Sequence, residues 1–391
     1  MLRVHLLTQG SPASVTGGHL YHRRMAEAAP AHDAKITFAQ TRVGQGRPGD
    51  ADVVVIDSLA AWCLAPSLLV RRQLRPLVAM VHQQPGGVDV SPARHRLQQA
   101  ADRFVYRRCD LVLTASRSLT DALVVEHGID AERVRLVEPG CDLPPVARRP
   151  DLRGGRRIAL VCVSNWYPNK GLLELLDAVA ALPAGDATLH LAGRDDVDAD
   201  YGDRVRRRLI DPDLAERVVA HGAVDRQTVA ELYAGADVFV LPSYVEGYAT
   251  VVAEALCAGL PVVGWRRPHF ERLATDGVEG CLLEPGDVPA LSDALSRLAT
   301  DDDHRLRLAA AARRRGSTLP TWDDTAARFF SALRAAAAAV EPADDRSGRL
   351  DVDAADAGVL DERSPGDLVG HPERPGQRRL DRADVGDNHD D

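Results

Sequence analysis

The sequence predicts an α/β protein of two domains, each built on a parallel sheet covered on both faces by helices, with an acidic tail behind them. Three observations carry this. At 391 residues the chain is long enough for two domains of ordinary size. Short β-branched and aliphatic runs alternate with helix-length segments along most of it, as parallel sheets with crossover helices require. From Glu341 onward the chain is rich in Asp, Arg, Gly and Pro, holds no aromatic residue and loses periodicity, so residues 341–391 are expected to be disordered.

Composition excludes several classes. No run of about 18 apolar residues is present, so no transmembrane helix is expected. The opening MLRVHLLTQGSPAS leads straight into a Gly-rich loop and reads as a first strand rather than a signal peptide. Cys63, Cys109, Cys141, Cys162, Cys257 and Cys281 lie far apart with no CxxC pair, which argues against a zinc site or a disulfide framework and for a reducing cytoplasm. The net charge of −9 is uneven: residues 341–391 hold 15 Asp and Glu against 7 Arg and Lys, a net of −8, whereas residues 1–150 carry +5. The acidic total therefore says little about partners, and no nucleic-acid partner is expected.

The first domain, residues 1–143, begins with the strand Arg3 to Thr8. GSPASVTGGHLYHRR follows, with Gly17 and Gly18 ahead of a helix. It contains neither the GxGxxG of a dinucleotide fold nor the GxxxxGK[ST] of a P-loop, so neither NAD binding nor ATP hydrolysis is indicated. Paired glycines permit a ligand to approach the backbone closely, although an ordinary turn reads the same way. Val53 to Ile56, Leu77 to His82, Leu111 to Thr114 and Val134 to Val137 supply further strands. His82 closes the run VAMVHQQPGG at a strand's carboxyl end, where open α/β sheets bind ligands, whereas a lone histidine is more often structural. Between Pro92 and Cys109 a helix places Leu97, Ala101, Phe104 and Val105 on one face and Arg94, Arg96, Arg103 and Arg107 elsewhere. Two readings fit: a surface helix with its core stripe, or a basic face resting on anionic lipid.

Pro144, Pro145, Pro150, Gly154 and Gly155 mark a linker over residues 144–156. The second domain, residues 157–321, opens with RRIALVCVSNWYPNKGLLELLDAVAAL: a strand, a loop holding Asn165 and Lys170, and an amphipathic helix. RDDVDAD, after the next strand, reads as a polar turn, so no metal is required. RVVAHGAVDRQTVAELYAGADVFVLPS then gives a strand, the turn His221-Gly222, a helix and the strand Val238 to Leu241.

The most informative stretch is VFVLPSYVEGYATVVAEALCAGLPVVG, Val238 to Gly264. Pro242, Ser243 and Gly247 break the strand, and helical spacing returns at Val251, Val252, Ala255 and Leu256 until Gly259 and Pro261 stop it. Glu246 therefore lies in the loop and Glu254 one turn inside the helix. The backbone N–H groups of Gly247, Tyr248, Ala249, Thr250 and Val251 lie between them at a positive helix end, where a phosphate is stabilised. Two carboxylates beside an anion site repel a bare phosphate, but suit one carrying hydroxyl-rich groups on both sides, as a sugar nucleotide does.

Glu246 and Glu254 with seven residues between them, Pro242-Ser243 before them and Ala258-Gly259-Leu260-Pro261-Val262 after them, resemble the donor-site signature of the family 4 glycosyltransferases, of the group 1 type. The resemblance covers residues 1–340, with its specific motifs in 164–286. It implies the GT-B fold, two Rossmann-like domains facing a central cleft, and a helix over 322–340 that returns to the first domain. It implies a retaining enzyme that takes a UDP-, GDP- or ADP-sugar, needs neither metal nor other cofactor, and transfers to a glycan, glycolipid or small-molecule hydroxyl. Such an enzyme would be cytoplasmic, and a lipid-linked acceptor would hold it at the inner face of the membrane.

By the same resemblance Lys170 and the N–H groups of Thr250 and Val251 hold the diphosphate, and Glu254 takes the ribose hydroxyls. Glu246 contacts the sugar, His82 lies near the anomeric carbon, and Gly17 and Gly18 face the cleft. His82, Lys170 and Glu246 are the candidate catalytic residues. The chain departs from the family at Asn165, where an arginine is frequent, and Arg194 is a candidate substitute for that charge. It departs again at Tyr248-Ala249, where an aromatic-glycine pair is usual. Two rival readings stay open: a GT-B nucleotide-sugar epimerase that uses no acceptor, and a non-catalytic nucleotide-sugar-binding subunit.

Overall fold

The computed structural model describes residues 1–9, 17–40, 50–70, 75–87 and 91–339. Most of the Gly-rich loop ahead of Gly17 and the acidic tail, expected to be disordered, lie outside these residues.

The first half runs β1 (Leu2–Thr8), α1 (Gly17–Ala28), β2 (Ala34–Gln40), β3 (Val53–Asp57), α2 (Ala61–Val70), β4 (Leu77–Val81), α3 (Pro92–Tyr106), β5 (Leu111–Thr114), α4 (Arg117–Val125) and β6 (Val134–Leu136). The second runs β7 (Ile158–Val163), α5 (Leu172–Ala180), β8 (Ala187–Ala192), α6 (Ala199–Leu209), β9 (Val218–Gly222), α7 (Arg226–Gly235), β10 (Val238–Leu241), α8 (Thr250–Cys257), β11 (Val262–Trp265), α9 (Pro268–Glu271) and β12 (Gly280–Leu283). Helices α10 (Val288–Thr300), α11 (Asp302–Gly316) and α12 (Trp322–Ala339) complete it.

Each half holds one six-stranded sheet, ordered β2-β1-β3-β4-β5-β6 and β12-β11-β10-β7-β8-β9, and every pairing is parallel. Strands β3, β4 and β10 are buried along their whole length, which is why each reads as an unbroken apolar run. Strand β2 was not legible as one. It is the edge strand, with Lys35 and Thr37 exposed and no residue but Ala34 fully buried, so it carries no apolar run.

The strand orders position the site. After β2 the chain returns past β1 to lay down β3 on its other side, and after β9 it returns past β7 to lay down β10. Open α/β sheets bind ligands in the crevice beyond the strands' carboxyl ends at such reversals. Gly18 follows β1 and Asp57 ends β3; Lys170 follows β7 and Glu246 follows β10.

One large core surrounds the second sheet, and two cores flank the first. Trp322, Phe329, Phe330 and Leu333 of α12 pack with Leu6, Tyr21, Met25 and Met80, so this last helix belongs to the core of the first sheet. The two chain crossings between the halves run side by side: Cys141 N–H donates to the Pro320 carbonyl at 3.1 Å, and Trp322 N–H to Asp142 Oδ1 at 2.6 Å.

Two expectations are corrected here. Leu97 is 74% exposed and takes no part in a core stripe, because the first two turns of α3 project into solvent and only Asp102, Val105 and Tyr106 at its far end are buried. Cys141 and Cys257 are joined as a disulfide with Cα atoms 6.6 Å apart. They are 116 residues apart in sequence, so their meeting depends on α8 ending beside the interdomain crossing, which spacing could not reveal.

Candidate active site

In the second half, two loops are laced together. Tyr244 N–H donates to the Asn169 carbonyl at 2.8 Å, Ser243 Oγ to the same carbonyl at 3.2 Å, and Asn169 Nδ2 to the Val245 carbonyl at 3.3 Å. Gly171 has φ +68°, and a Cβ there would stand 2.2 Å from the Pro242 carbonyl oxygen, so the Lys-Gly step needs its glycine for both reasons. The result is an ion pair between Lys170 Nζ and Glu246 Oε1 at 2.5 Å, both groups largely shielded.

Helix α8 begins beside this pair. Ala249, at φ 63° and ψ 52°, is its N-cap and offers no side-chain acceptor. The first intrahelical donors are Val252 and Ala253, which leaves the N–H groups of Thr250 and Val251 at a positive helix end. Glu254, one turn in, is 3% exposed and accepts from Arg226 Nη1 at 2.9 Å. Burial raises its pKa and Arg226 opposes the rise, with Arg24 of α1 acting from the first half. Each carboxylate thus has its own cation, so the pocket between them does not repel a diphosphate as two bare glutamates would.

The first half contributes a buried imidazole pair on a carboxylate. Asp57, wholly buried, accepts from Thr8 Oγ1 at 3.0 Å, Ser58 Oγ at 3.1 Å and Leu59 N–H at 3.1 Å, and its Oδ2 lies 3.3 Å from His22 Nε2. Burial alone would raise its pKa, but His22, His82 and the Leu59 N–H together hold the carboxyl well below the usual range. The His82 ring sits edge-on to His22 at 4.9 Å and to Tyr21 at 5.0 Å. Burial, then His22, pushes its pKa down to about 3, so near neutral pH it presents uncharged ring nitrogens. Gly18 lies against this ring, a Cβ there standing 3.4 Å from Cδ2 of His82.

Gly247 closes the gap between the halves. A Cβ added to it would sit 2.1 Å from the His82 carbonyl oxygen, so only glycine allows the donor loop this close. Around the contact, Tyr21 Oη, His22 Nδ1, His82 Nε2, Asn169 Oδ1, Tyr248 Oη and His269 Nε2 are buried without a partner. A polar ligand in the cleft would give such atoms partners.

The structure therefore brings His82, Lys170, Glu246, Gly247, Tyr248, Ala249, Thr250, Val251, Glu254 and Gly18 to one cleft, with Gly17 at the start of α1. Lys170 is paired with Glu246. Arg194, the candidate substitute for the missing arginine, pairs with Asp196 at 2.9 Å on the surface. Asn165 Oδ1 accepts from the Arg194 N–H at 3.0 Å, tying two loops together. Asp195, in the same acidic turn, pairs with Arg206.

Sequence reasoning missed Arg226, His22, Asp57 and His269. An acidic residue ending the apolar strand VVVID was a usable signal for Asp57, since a carboxylate at a strand's carboxyl end faces the ligand crevice. Arg226, at an ordinary helix start, gave none. His269 on α9 is buried near Glu246 and Lys170, and burial pushes its pKa down to about 4, with Glu246 opposing.

Two parallel α/β halves whose strand-order reversals meet across a cleft define the GT-B class. The chain belongs to the family 4, group 1 glycosyltransferases: residues 2–144 match Glycosyltransferase Family 4, and residues 157–301 match Glycosyl transferases group 1. The D-inositol 3-phosphate glycosyltransferase of Xylanimonas cellulosilytica is 30% identical over 239 residues, covering 56% of this chain and 56% of that protein. The match thus spans little more than half the length of that relative. The GDP-mannose-dependent alpha-(1-6)-phosphatidylinositol monomannoside mannosyltransferase of Mycolicibacterium smegmatis is 27% identical, over 73% of this chain and 76% of its own. Anabaena HepE, solved with UDP and glucose, shares the fold at a TM-score of 0.71 and 20% identity, over 86% of this chain and 100% of that one.

Proposed function

We propose that this protein transfers a sugar from a nucleoside diphosphate sugar to an acceptor hydroxyl with retention of anomeric configuration. The observation that carries the reading is the Lys170–Glu246 ion pair at the uncapped tip of α8, facing His82 across the Gly247 contact. In the donor complex Lys170 turns from Glu246 to the diphosphate, joined by the N–H groups of Thr250 and Val251. Glu246, released, takes sugar hydroxyls, and Glu254, held by Arg226, takes the ribose.

As the anomeric C–O bond breaks, negative charge grows on the diphosphate and positive charge on the ring. Donors already aimed at that oxygen lower the barrier without reorganising. The ammonium supplies the cation, so no metal or other cofactor enters the scheme. The neutral His82 lies near the anomeric carbon, and the departing phosphate assists attack from the same face. Gly17 and Gly18 allow the backbone near the phosphates, and closure of the cleft excludes water.

The donor is a UDP-, GDP- or ADP-sugar. UDP in HepE and GDP-mannose in the name of the mycobacterial relative support a nucleotide sugar without choosing the base. No helix among the described residues is long and apolar enough to cross a membrane. Exposed Arg94, Arg96 and Leu97 on the outer turns of α3, with a relative named for a phosphatidylinositol mannoside, support a lipid-linked acceptor met at the inner membrane surface by a cytoplasmic enzyme.

Nucleotide release that depends on added acceptor tests the reading. An epimerase would rearrange the donor without acceptor, and a binding subunit would release nothing. Lys170→Ala and Glu254→Ala should each lower kcat/KM by about tenfold or more, as loss of charged contacts implies. Transfer at the parent rate by both variants would refute the donor-site assignment.

A further inference from the structure

We infer that Cys141 and Cys257 form a thiol–disulfide exchange site, open to low-molecular-weight disulfides, that staples the interdomain crossing to the donor helix. Cys141 lies in the segment leading out of the first half, and its N–H is bonded to Pro320 of the returning segment. Cys257 is the last residue of α8, whose first turn carries the N–H groups of Thr250 and Val251. The disulfide therefore fastens the outgoing crossing to the helix assigned to the donor, and the hydrogen bond to Pro320 joins the returning crossing to it.

Three features fit exchange rather than a permanent brace. Both cysteines line a cavity of about 440 Å³, together with Ala230, Ala258, Leu319 and Pro320, and Cys257 is the more exposed of the two. This cavity lies at the far end of α8 from the sugar site, so a small thiol reaches it without entering the cleft. Next, each sulfur has an acceptor for its thiol form: Cys141 Sγ is 3.5 Å from the Pro320 carbonyl and Cys257 Sγ 3.6 Å from that of Gly316. Neither redox state strands a buried polar group. Finally, competing thiols are held back: Cys63, Cys109 and Cys162 are buried, and burial pushes the thiols of Cys109 and Cys162 up, Cys162 to about 12. Cys281 is pushed up to about 11, again by burial. Reactivity follows the exposed thiolate, so these four stay inert.

The chemistry balances with one oxidant, a disulfide RSSR. Cys257 loses its proton and its thiolate attacks RSSR, forming Cys257–S–SR and releasing RS⁻. Cys141 then loses its proton and attacks Cys257 Sγ, forming the protein disulfide and expelling a second RS⁻. Both RS⁻ groups take up the released protons, so RSSR is reduced to two RSH while the two cysteines are oxidised. Disulfides in reducing compartments are typically transient and sensory, as this cycle would be. Donor closure moves the halves about the stapled crossing, so oxidation slows turnover. This last step rests on the proposed transfer reaction; the exchange chemistry does not.

The test uses the full chain, reduced with dithiothreitol or treated with excess oxidised glutathione, followed by peptide mass mapping. We expect a Cys141–Cys257 cross-linked peptide that dithiothreitol dissolves. Cys141→Ser should instead trap a glutathione adduct on Cys257, and Cys257→Ser should show neither product. Acceptor-dependent nucleotide release should fall about threefold or more on oxidation, recover on reduction, and be indifferent to oxidant in Cys141→Ser. Absence of the cross-link, or adducts spread over the other cysteines, overturns the site; a cross-linked protein with unchanged turnover overturns its effect on closure. Should the reduced chain turn over no donor, the transfer reading fails while the mapping still decides the exchange site. Cys141→Ala serves if the serine variant does not fold.

Discussion

Ala249 is the residue at which this chain strains its own site. At φ 63° it holds a left-handed conformation that costs a non-glycine residue roughly 1–2 kcal/mol. Its methyl is almost fully buried, and losing one such group forfeits about 0.8 kcal/mol. Ala249→Gly should therefore be neutral or stabilising, by less than about 1 kcal/mol, with the same backbone at the tip of α8. Urea unfolding checks this, and a loss above about 1 kcal/mol would show that the methyl's packing outweighs the strain. His82 illustrates the same scale differently: burial keeps its imidazole uncharged near neutral pH, so any service to the sugar comes through hydrogen bonding and not through a positive charge.

At the scale of elements, α7 and α8 are joined by the Arg226–Glu254 pair and by Tyr233 Oη, which donates to the Val251 carbonyl at 3.1 Å. Arg226 is the first residue of one helix and meets Glu254 inside the other, and its Nη2 also donates to the Asp142 carbonyl of the crossing at 3.3 Å. Arg226→Leu would leave a buried carboxylate without its cation, at a cost of about 2 kcal/mol near pH 8. The pH dependence has a definite sign. Glu254 is already raised above its ordinary 4.5 by burial, with Arg226 opposing, so removing Arg226 raises it further. The folded variant then keeps a proton that the unfolded chain releases, and its stability falls as pH rises through the folded pKa. The loss should accordingly be smaller at pH 5.5 than at pH 8; urea midpoints showing equal losses would deny that Arg226 is what keeps Glu254 charged. The helix itself was legible from its sequence, because Thr250 to Cys257 has helical spacing and a Gly-Pro stop. Its partner was not, since the pair joins residues 28 apart whose contact exists only once both helices pack on one sheet.

Across the whole molecule the same division holds. The loops after β7 and β10 meet because these strands are neighbours at a strand-order reversal, and at the other reversal Thr8 at the end of β1 meets Asp57 at the end of β3. Lys170, Glu246, Glu254 and His82 could be read from the chain because each stands at a strand end or helix start with a local signature. Edge strand β2, outward-facing Leu97, the His22–Asp57 contact and the Cys141–Cys257 bond could not. Each depends on which surface a distant element covers, and nothing local encodes that. The central claim is that the two reversals jointly hold one activated sugar, its diphosphate on α8 and its sugar beneath His82. A crystal structure of the reduced chain with a bound nucleoside diphosphate sugar measures this directly. The account predicts Lys170 Nζ and the Thr250 and Val251 N–H groups on the diphosphate, Glu254 on the ribose and Lys170 parted from Glu246; a ligand lying elsewhere, with the Lys170–Glu246 pair intact, would contradict it.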